Sequence, residues 1–397
     1  MSDYPPTSLS RTSYADDFTA WSSSRNVPTA AEVLIGHAAD VADWAEKKEL
    51  QISTLKSTTT LFTSDVRQSF LDPHITLNSA LLPLERRPKI LGVILDTHLT
   101  FSPHISDLID RIASRLRILK ALAGSSWGQH KETIILTFKS LVRSLYTYAA
   151  PIWFPNSSPS SIAKLQRTQN TALRIASGSH TISSIPHLHQ ETKVIPVFEH
   201  LTLLCKQFLV NALRPNHPSH GVVTNTHNPR ARSSPIRHTL RNKFFPGIEH
   251  VVSGGISTRE EYSEAISDLH TECVSSVLRG FPDSSVLNAR TPDIDPDEEL
   301  LPRAYRTTLS QLRSGFSKHL MSYKHTIGDA PSPLCPSCGE EEHTTCHLFD
   351  CSSHPTELVA RDLWERPGRV AQYLESLPYF DLPALARPPP EPPPPHP

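Results

Sequence analysis

Apolar residues recur at helical spacing through the middle of the chain. Ile105, Leu108, Ile109, Ile112, Leu116 and Leu119 fall three or four apart, and Gly124 stands where such a run would stop. A second stripe, Ile134, Ile135, Phe138, Leu141, Val142 and Leu145, predicts a helix over residues 131–148 that Pro151 ends. A third, over 160–176, turns Ile162, Leu165, Ala172 and Leu173 inward, and a fourth lies near 198–213. Four amphipathic helices with short connections predict a bundle.

Ahead of the bundle the period changes. Val33, Leu34, Val41 and Trp44 give one helical stripe in AAEVLIGHAADVADWAEKKEL. The β-branched run at 58–63 and the apolar run at 90–95, which leads into an acidic turn, predict strands. SYADDFTAW sets two aspartates between strand-favouring flanks and predicts a hairpin. Far downstream, Leu309, Leu312 and Phe316 predict the buried face of another helix, and the DPDEEL run before it places acidic residues where a helix dipole favours them. The expected fold class is α+β.

Composition narrows the picture. The chain has 397 residues, 38% of them hydrophobic, with 36 Pro and only 14 Gly, which suits two or three domains joined by stiff loops. The opening MSDYPPTSLSRTS is polar, and no apolar run approaches the ~20 residues that span a bilayer, so the expectation is a cytosolic or nuclear protein that is not secreted and has no membrane partner. Net charge is −1, but the neutral total hides a local excess. Residues 103–250 hold 18 Lys and Arg against 6 Asp and Glu. Arg111, Arg115 and Arg117 lie beside the first apolar stripe. Arg230, Arg232, Arg237, Arg241 and Lys243 decorate a Pro/Ser/His-rich stretch read as a linker. The 21 His match no catalytic pattern, and ARPPPEPPPPHP reads as a disordered polyproline-like tail.

Four of six cysteines fall in CPSCGEEEHTTCHLFDC. Cys335-x₂-Cys338 sets two thiolates on one turn, Gly339 lets the backbone fold back, and His347-x₃-Cys351 can present two more donors. Such a set suits tetrahedral Zn²⁺ in a closed, structural site. By spacing, Cys346 competes with His347 as the third ligand, and His343 is a weaker rival. Cys205 and Cys273 sit in apolar helical contexts and read as core residues. At the other end, paired carboxylates on a hairpin tip can hold divalent cations, which would offset their mutual repulsion.

These pieces come in a familiar order. Tyr14-Ala15-Asp16-Asp17, the helix ending near Trp44, Lys56-Ser57-Thr58 and Leu91-Gly92-Val93 with Asp96, Leu99, Thr100 and Phe101 are followed by WGQHKETIILTFKSLVRSLYTYAAPIW, LQRTQNTALRIASG, LPRAYRTTLSQLRSG and the Cys/His cluster. Together they resemble the C-terminal half of the reverse transcriptase of non-LTR (LINE-like) retrotransposons, the Jockey/CR1 type in particular. The resemblance implies a truncated polymerase palm (β-hairpin, helix, strands) in residues 1–103, a mainly α-helical, thumb-like bundle in 104–215, and a basic linker in 216–250. It implies a helical C-terminal region in 251–330 and a CCHC zinc knuckle in 331–355, ahead of the Pro-rich disordered tail at 385–397. It makes Asp16 and Asp17 catalytic ligands of Mg²⁺ or Mn²⁺ in a two-metal nucleotidyl transfer. Structural Zn²⁺ falls to Cys335, Cys338, His347 and Cys351. An RNA template and DNA primer, with a dNTP in the intact family, are the expected partners. Lys56, Arg111, Arg115, Arg117, Arg241 and Lys243 are placed to neutralise phosphates.

The chain departs from the family in one respect. Catalysis there uses a third aspartate on a strand far upstream of the hairpin, whereas here thirteen residues precede Tyr14. The expectation is therefore a truncated gene product or decayed copy, inactive alone as a polymerase. The alternatives are a non-catalytic RNA- or DNA-binding fragment and an inert relic.

Overall fold

A computed structural model describes residues 10–24, 26–124, 127–220, 243–249, 251 and 258–385. In chain order the elements are β1 (Ser10–Tyr14), β2 (Asp17–Trp21), α1 (Val27–Lys47), β3 (Thr76–Leu77), β4 (Ala80–Leu81), β5 (Lys89–Ile90) and β6 (Val93–Ile94). Then come α2 (Ser102–Leu122), α3 (Lys131–Phe138), a π-helical turn (Lys139–Arg143), α4 (Ser144–Thr147), α5 (Ala150–Trp153), α6 (Pro159–Ser177), α7 (Ile185–Thr192) and α8 (Val197–Ala212). The rest are α9 (Arg259–Arg279), a 3₁₀ turn (Pro296–Leu300), α10 (Arg303–Arg313), α11 (Met321–Thr326), α12 (His347–Asp350), α13 (Asp362–Glu365) and α14 (Pro367–Ser376). Among the described residues, no helix is long and apolar enough to cross a membrane.

The described residues divide into two compact units. The first draws on Met1–Leu108, Ala149–Ser161 and Cys205–Thr258. Its strands form three separate two-stranded antiparallel sheets. Helix α1 is capped by Asn26, whose Oδ1 accepts from Thr29 N at 3.2 Å, and Pro28 sits in its first turn, where its missing N–H costs nothing. Its buried face runs through Val27, Ala31, His37 and Ala45. Ala31 packs on Ile75, Leu77 and Leu82, with Leu34, Ala38 and Ala42 at the margin. Val33, expected on that stripe, is instead exposed.

Both strands predicted downstream of α1 are corrected. Residues 90–95 form a tight hairpin rather than one strand. Leu91 and Gly92 both take positive φ (45° and 84°), the turn signature that pairs Ile90 with Val93. Residues 58–63 form no strand and make only an isolated bridge, Thr59 to Leu84. Pro83 beside Leu84 accepts from Thr59 N but has no N–H to return, so no ladder propagates. The acidic turn is structural: Asp96 accepts from the backbone N–H of Phe101 at 2.7 Å and Thr100 at 3.1 Å, leading the chain into α2.

The second unit draws on Ile109–Tyr148, Ile162–Leu204 and Arg259–Pro397. The predicted helical stripes of α2, α3 and α6 are largely buried, Ile112, Leu119, Ile134, Phe138, Leu165 and Leu173 completely, with Ile109, Leu116 and Leu141 partly exposed. The helix predicted over 131–148 is interrupted by the π turn at 139–143, where Arg115 Nη1 donates to the Leu141 carbonyl. Helix α10 ends earlier than its stripe suggested. Gly315 takes φ 79° and Phe316 N turns back to the Gln311 carbonyl, so Phe316 lies beyond the helix.

Every one of the 11 residues of α10 is buried, although the sequence RAYRTTLSQLR is mostly polar. Each guanidinium clamps a different segment. Arg303 Nη2 reaches the Ile175 carbonyl at 3.1 Å, Arg306 pairs with Glu132, and Arg313 donates to Glu191 Oε1 at 3.0 Å, to Glu298, and to the Leu363 carbonyl at 2.7 Å. Lys131 completes the set, 3.0 Å from Glu191 and 3.6 Å from Glu298. Close packing of α10 also needs Gly178, at φ 70°, because a Cβ there would collide with Thr307.

Burial alone would push the Glu191 carboxyl up, but Lys131 and Arg313 together pull it well below the usual range. Since the folded-state value lies below the unfolded one, its stabilisation is present at neutral pH. It is lost as pH falls below about 4.5 and onward through the folded-state value. Urea unfolding of the chain between pH 7 and 2 is expected to show that acid loss. Arg313→Met, which leaves two buried carboxylates with one cation, should cost about 3–5 kcal/mol. Arg361→Ala, in an exposed pair with Glu365, should cost at most ~1 kcal/mol.

Candidate metal centre and nucleic-acid surface

The C-terminal Cys/His segment is shaped by backbone hydrogen bonds. Cys335 N donates to the Glu341 carbonyl at 2.8 Å, His343 N to Pro333 at 2.8 Å, and Gly339 N to Cys335 at 2.9 Å. Gly339 turns with φ 72°, which brings Cys338 back over Cys335. Thr344 Oγ1 accepts from His347 N at 3.3 Å where α12 begins, and Cys351 lies just past the helix end.

The result gathers one donor atom each from Cys335, Cys338, His347 and Cys351, all within 4.8 Å of one another. Cys335 Sγ lies 3.8 Å from Cys351 Sγ, and Cys338 Sγ lies 3.4 Å from His347 Nε2. The other imidazole nitrogen, Nδ1, is 3.0 Å from Glu341 Oε2. A carboxylate in that position fixes the ring and leaves Nε2 for a metal ion. Glu341 was not singled out by sequence; its only signal is membership of GEEEH, one turn from the first thiolate pair. Backbone N–H groups of Glu340 and Glu341 directed at Cys338 lower its thiol to about 7, which favours the thiolate a metal requires. Burial pushes the Cys335 thiol up.

Geometry separates the rival ligands. Cys346 points its thiol the other way, to the Val286 carbonyl at 3.3 Å. His343 is buried, accepts at Nδ1 from Met321 N at 3.1 Å, and sets its ring edge-on to Tyr379. Neither joins the cluster. Cys205 is fully buried and Cys273 partly so.

The aspartate pair lies in the first unit. Asp17 opens β2 opposite Tyr14, and Ala15, at φ 51°, and Asp16 form the hairpin tip. Both carboxylates are exposed. Among the described residues, the Cys/His cluster is the only group of three or more metal-ligating side chains, so no further carboxylate joins Asp16 and Asp17. Two exposed aspartates on a tip do not by themselves build a two-metal site.

The predicted phosphate contacts are scattered. Lys56 is exposed in the turn after Ser53, and Arg111 and Arg117 are exposed on α2. Arg115 is spent on the Leu141 carbonyl and Lys243 on the Pro155 carbonyl, at 2.5 Å for the latter. Arg241 lies outside the described residues, as do the remaining arginines of the basic linker and nearly all of the Pro-rich tail.

Comparison with known proteins agrees with the resemblance read from the sequence. The chain is 26% identical over 188 residues to a probable RNA-directed DNA polymerase from transposon X-element of Drosophila melanogaster, covering 47% of this chain and 20% of that protein. It is 25% identical over 195 residues to the RNA-directed DNA polymerase from mobile element jockey of Drosophila funebris, covering 49% and 21%. It is 29% identical over 168 residues to a probable RNA-directed DNA polymerase from transposon BS of Drosophila melanogaster, covering 41% and 18%. The chain thus spans about a fifth of the length of the curated relatives it matches. No protein-family profile matches it, and no solved structure does.

Elemental analysis of the purified chain is expected to find one zinc ion per molecule. Cys351→Ser and His347→Ala should lower metal affinity by at least tenfold, and Glu341→Gln by about tenfold through its hold on His347. Cys346→Ser should leave stoichiometry unchanged; loss of zinc in that variant alone would reverse the ligand assignment.

Proposed function

We infer that this chain is a fragment of a non-LTR retrotransposon reverse transcriptase. The observation that carries the inference is the similarity of about half the chain to three such RNA-directed DNA polymerases, with the YADD sequence on the tip of a hairpin. On this reading the first unit carries the end of the palm, the second carries the thumb-like helices, and the Cys/His cluster holds a structural Zn²⁺. Four donors with no open position make that ion a cross-link rather than a reaction centre. The partners are an RNA template and a DNA primer, gripped through phosphates by the basic helices.

The chain alone is read as a binding fragment rather than a polymerase. Among the described residues no further metal-ligating side chain joins Asp16 and Asp17 at the tip, and catalytic Mg²⁺ needs more than they supply. No step of nucleotidyl transfer is assigned to this chain.

Electrophoretic mobility shift with an RNA–DNA hybrid should show binding that weakens steeply between 50 and 200 mM salt, as expected where phosphates are neutralised by Lys and Arg. Primer extension on an RNA template with Mg²⁺ or Mn²⁺ should give no product from either the chain or its Asp16→Asn form. Product that disappears in Asp16→Asn would mean that a complete site forms. Binding indifferent to salt, or none, would remove the nucleic-acid reading.

A further inference from the structure

Between α2 and α3 the chain makes a tight return. Ala123 and Gly128 form a bridge, Gln129 N donates to the Leu122 carbonyl at 2.9 Å, and Gly124 N donates to the Trp127 carbonyl at 3.0 Å. The indole of Trp127 lies over Gly124. A Cβ at Gly124 would press on the indole Nε1 and stand 2.6 Å from both Cδ1 and Cε2. An approach in the ring plane would leave those two flanking atoms much farther off, so the ring sets its face, not its edge, on the glycine. Its other face is open, and the residue is 61% exposed. An exposed aromatic face held by a closed turn is a stacking platform already in place.

Gly124 also touches a buried cation. Its carbonyl accepts from Arg303 Nε at 3.4 Å, while Arg303 Nη2 donates to the Ile175 carbonyl at 3.1 Å. Arg303 is only 6% exposed. Its remaining nitrogen, Nη1, makes no hydrogen bond to a described residue and is not sealed from solvent. No described carboxylate forms an ion pair with Arg303. Glu132, the carboxylate whose field reaches it, is bonded to Arg306 one turn along α10, and Arg306 Nη1 also lies 2.5 Å from Nδ1 of the exposed His130. Two guanidiniums thus share one carboxylate. Burial and the charge of Arg306 lower the Arg303 pKa to about 10. A desolvated cation so poorly neutralised is costly, and an anion at Nη1 would relieve the cost.

We propose that Trp127 and Arg303 form a contact for one nucleotide of an unpaired strand: the base stacks on the open face of the indole, and a flanking phosphate meets Arg303 Nη1. Both side chains touch Gly124, so platform and cation lie about one residue apart, the scale of base and phosphate within a nucleotide. An acidic peptide would supply the anion but no planar partner for the indole; a nucleotide supplies both. The proposal rests on the reverse-transcriptase reading for which strand arrives, but not for the chemistry of the contact.

Tryptophan fluorescence of the full chain, followed during titration with short oligouridylate or oligothymidylate, tests it. Saturable quenching is expected. It should vanish in Trp127→Phe, which keeps an aromatic face and should bind nearly as well, whereas Trp127→Ala should bind about fivefold more weakly or worse. Arg303→Gln should still be quenched but lower the salt slope by about 0.7. Trp127 stands in solvent, so its variants keep the test valid if Arg303→Gln fails to fold. Tighter binding of the RNA oligomer assigns the contact to the template, and of the DNA oligomer to the primer. No quenching, quenching that survives in Trp127→Phe, or unaltered affinity in Trp127→Ala overturns the proposal. Quenching by uridine monophosphate at the same concentration as by the oligomer also overturns it, in favour of a free-nucleotide site. If the contact fails while the RNA–DNA hybrid is still shifted, the reverse-transcriptase reading stands. Trp127-dependent quenching by single strands without any hybrid binding keeps the contact and removes the template–primer reading.

Discussion

The second unit is organised around four charges held almost entirely out of water. Lys131, Glu191, Glu298 and Arg313 come from α3, α7, the 3₁₀ turn and α10, and their side chains are all at least nearly nine-tenths buried. Desolvating any one of them alone would cost several kcal/mol, so the arrangement is tolerable only because two cations meet two carboxylates and the spare guanidinium protons reach the Leu363 carbonyl. Trp364 covers the guanidinium face, with its ring centre 5.8 Å away. The geometry has little freedom: shifting any of the four segments strands a buried charge. That requirement fixes where α10 lies, and much of the unit follows from α10.

The same helix also packs against α12 of the metal centre. Leu309 and Leu312 share one core with Leu348 and Phe349 of α12, and with Leu363, Trp364, Val370 and Leu374. Thr345 Oγ1 donates to the Leu312 carbonyl at 3.0 Å, and Tyr373 donates to the Leu348 carbonyl at 2.7 Å. The cysteine and histidine donors are therefore held by packed helices on one side and by a short hydrogen-bonded turn on the other. A metal ion there would lock α12 against α10 and stabilise the core that orients the charge network, which links the chemistry of the knuckle to the stability of the helices.

The first unit is built differently. Its sheets are two-stranded, its apolar cluster is small, and Tyr14, Phe18 and Trp21 on the aspartate hairpin are exposed. Adjacent like charges on such a tip are tolerated because water screens them, whereas the same pair inside the second unit would demand cations. The two units thus handle negative charge by opposite means, solvation at Asp16 and Asp17 and full pairing at Glu191 and Glu298.

What the sequence by itself determined was whatever depends on near neighbours. Helical stripes through Ile112, Ile134 and Leu165 declared their buried faces, because apolar spacing of three and four lines one side of a helix. The YADD turn and the two-residue gap of Cys335 and Cys338 were legible for the same reason. The Leu91-Gly92 hairpin was also locally encoded, and was missed because the apolar run around it masked the turn. Only the tertiary structure decided what requires distant segments to meet. It chose His347 over Cys346, since the two adjacent side chains leave α12 in different directions and only one faces Cys338. It gave Arg313 its carboxylates, 122 and 15 residues away in sequence. A sequence displays charges one by one; whether each is paired or solvated depends on which others folding places beside it.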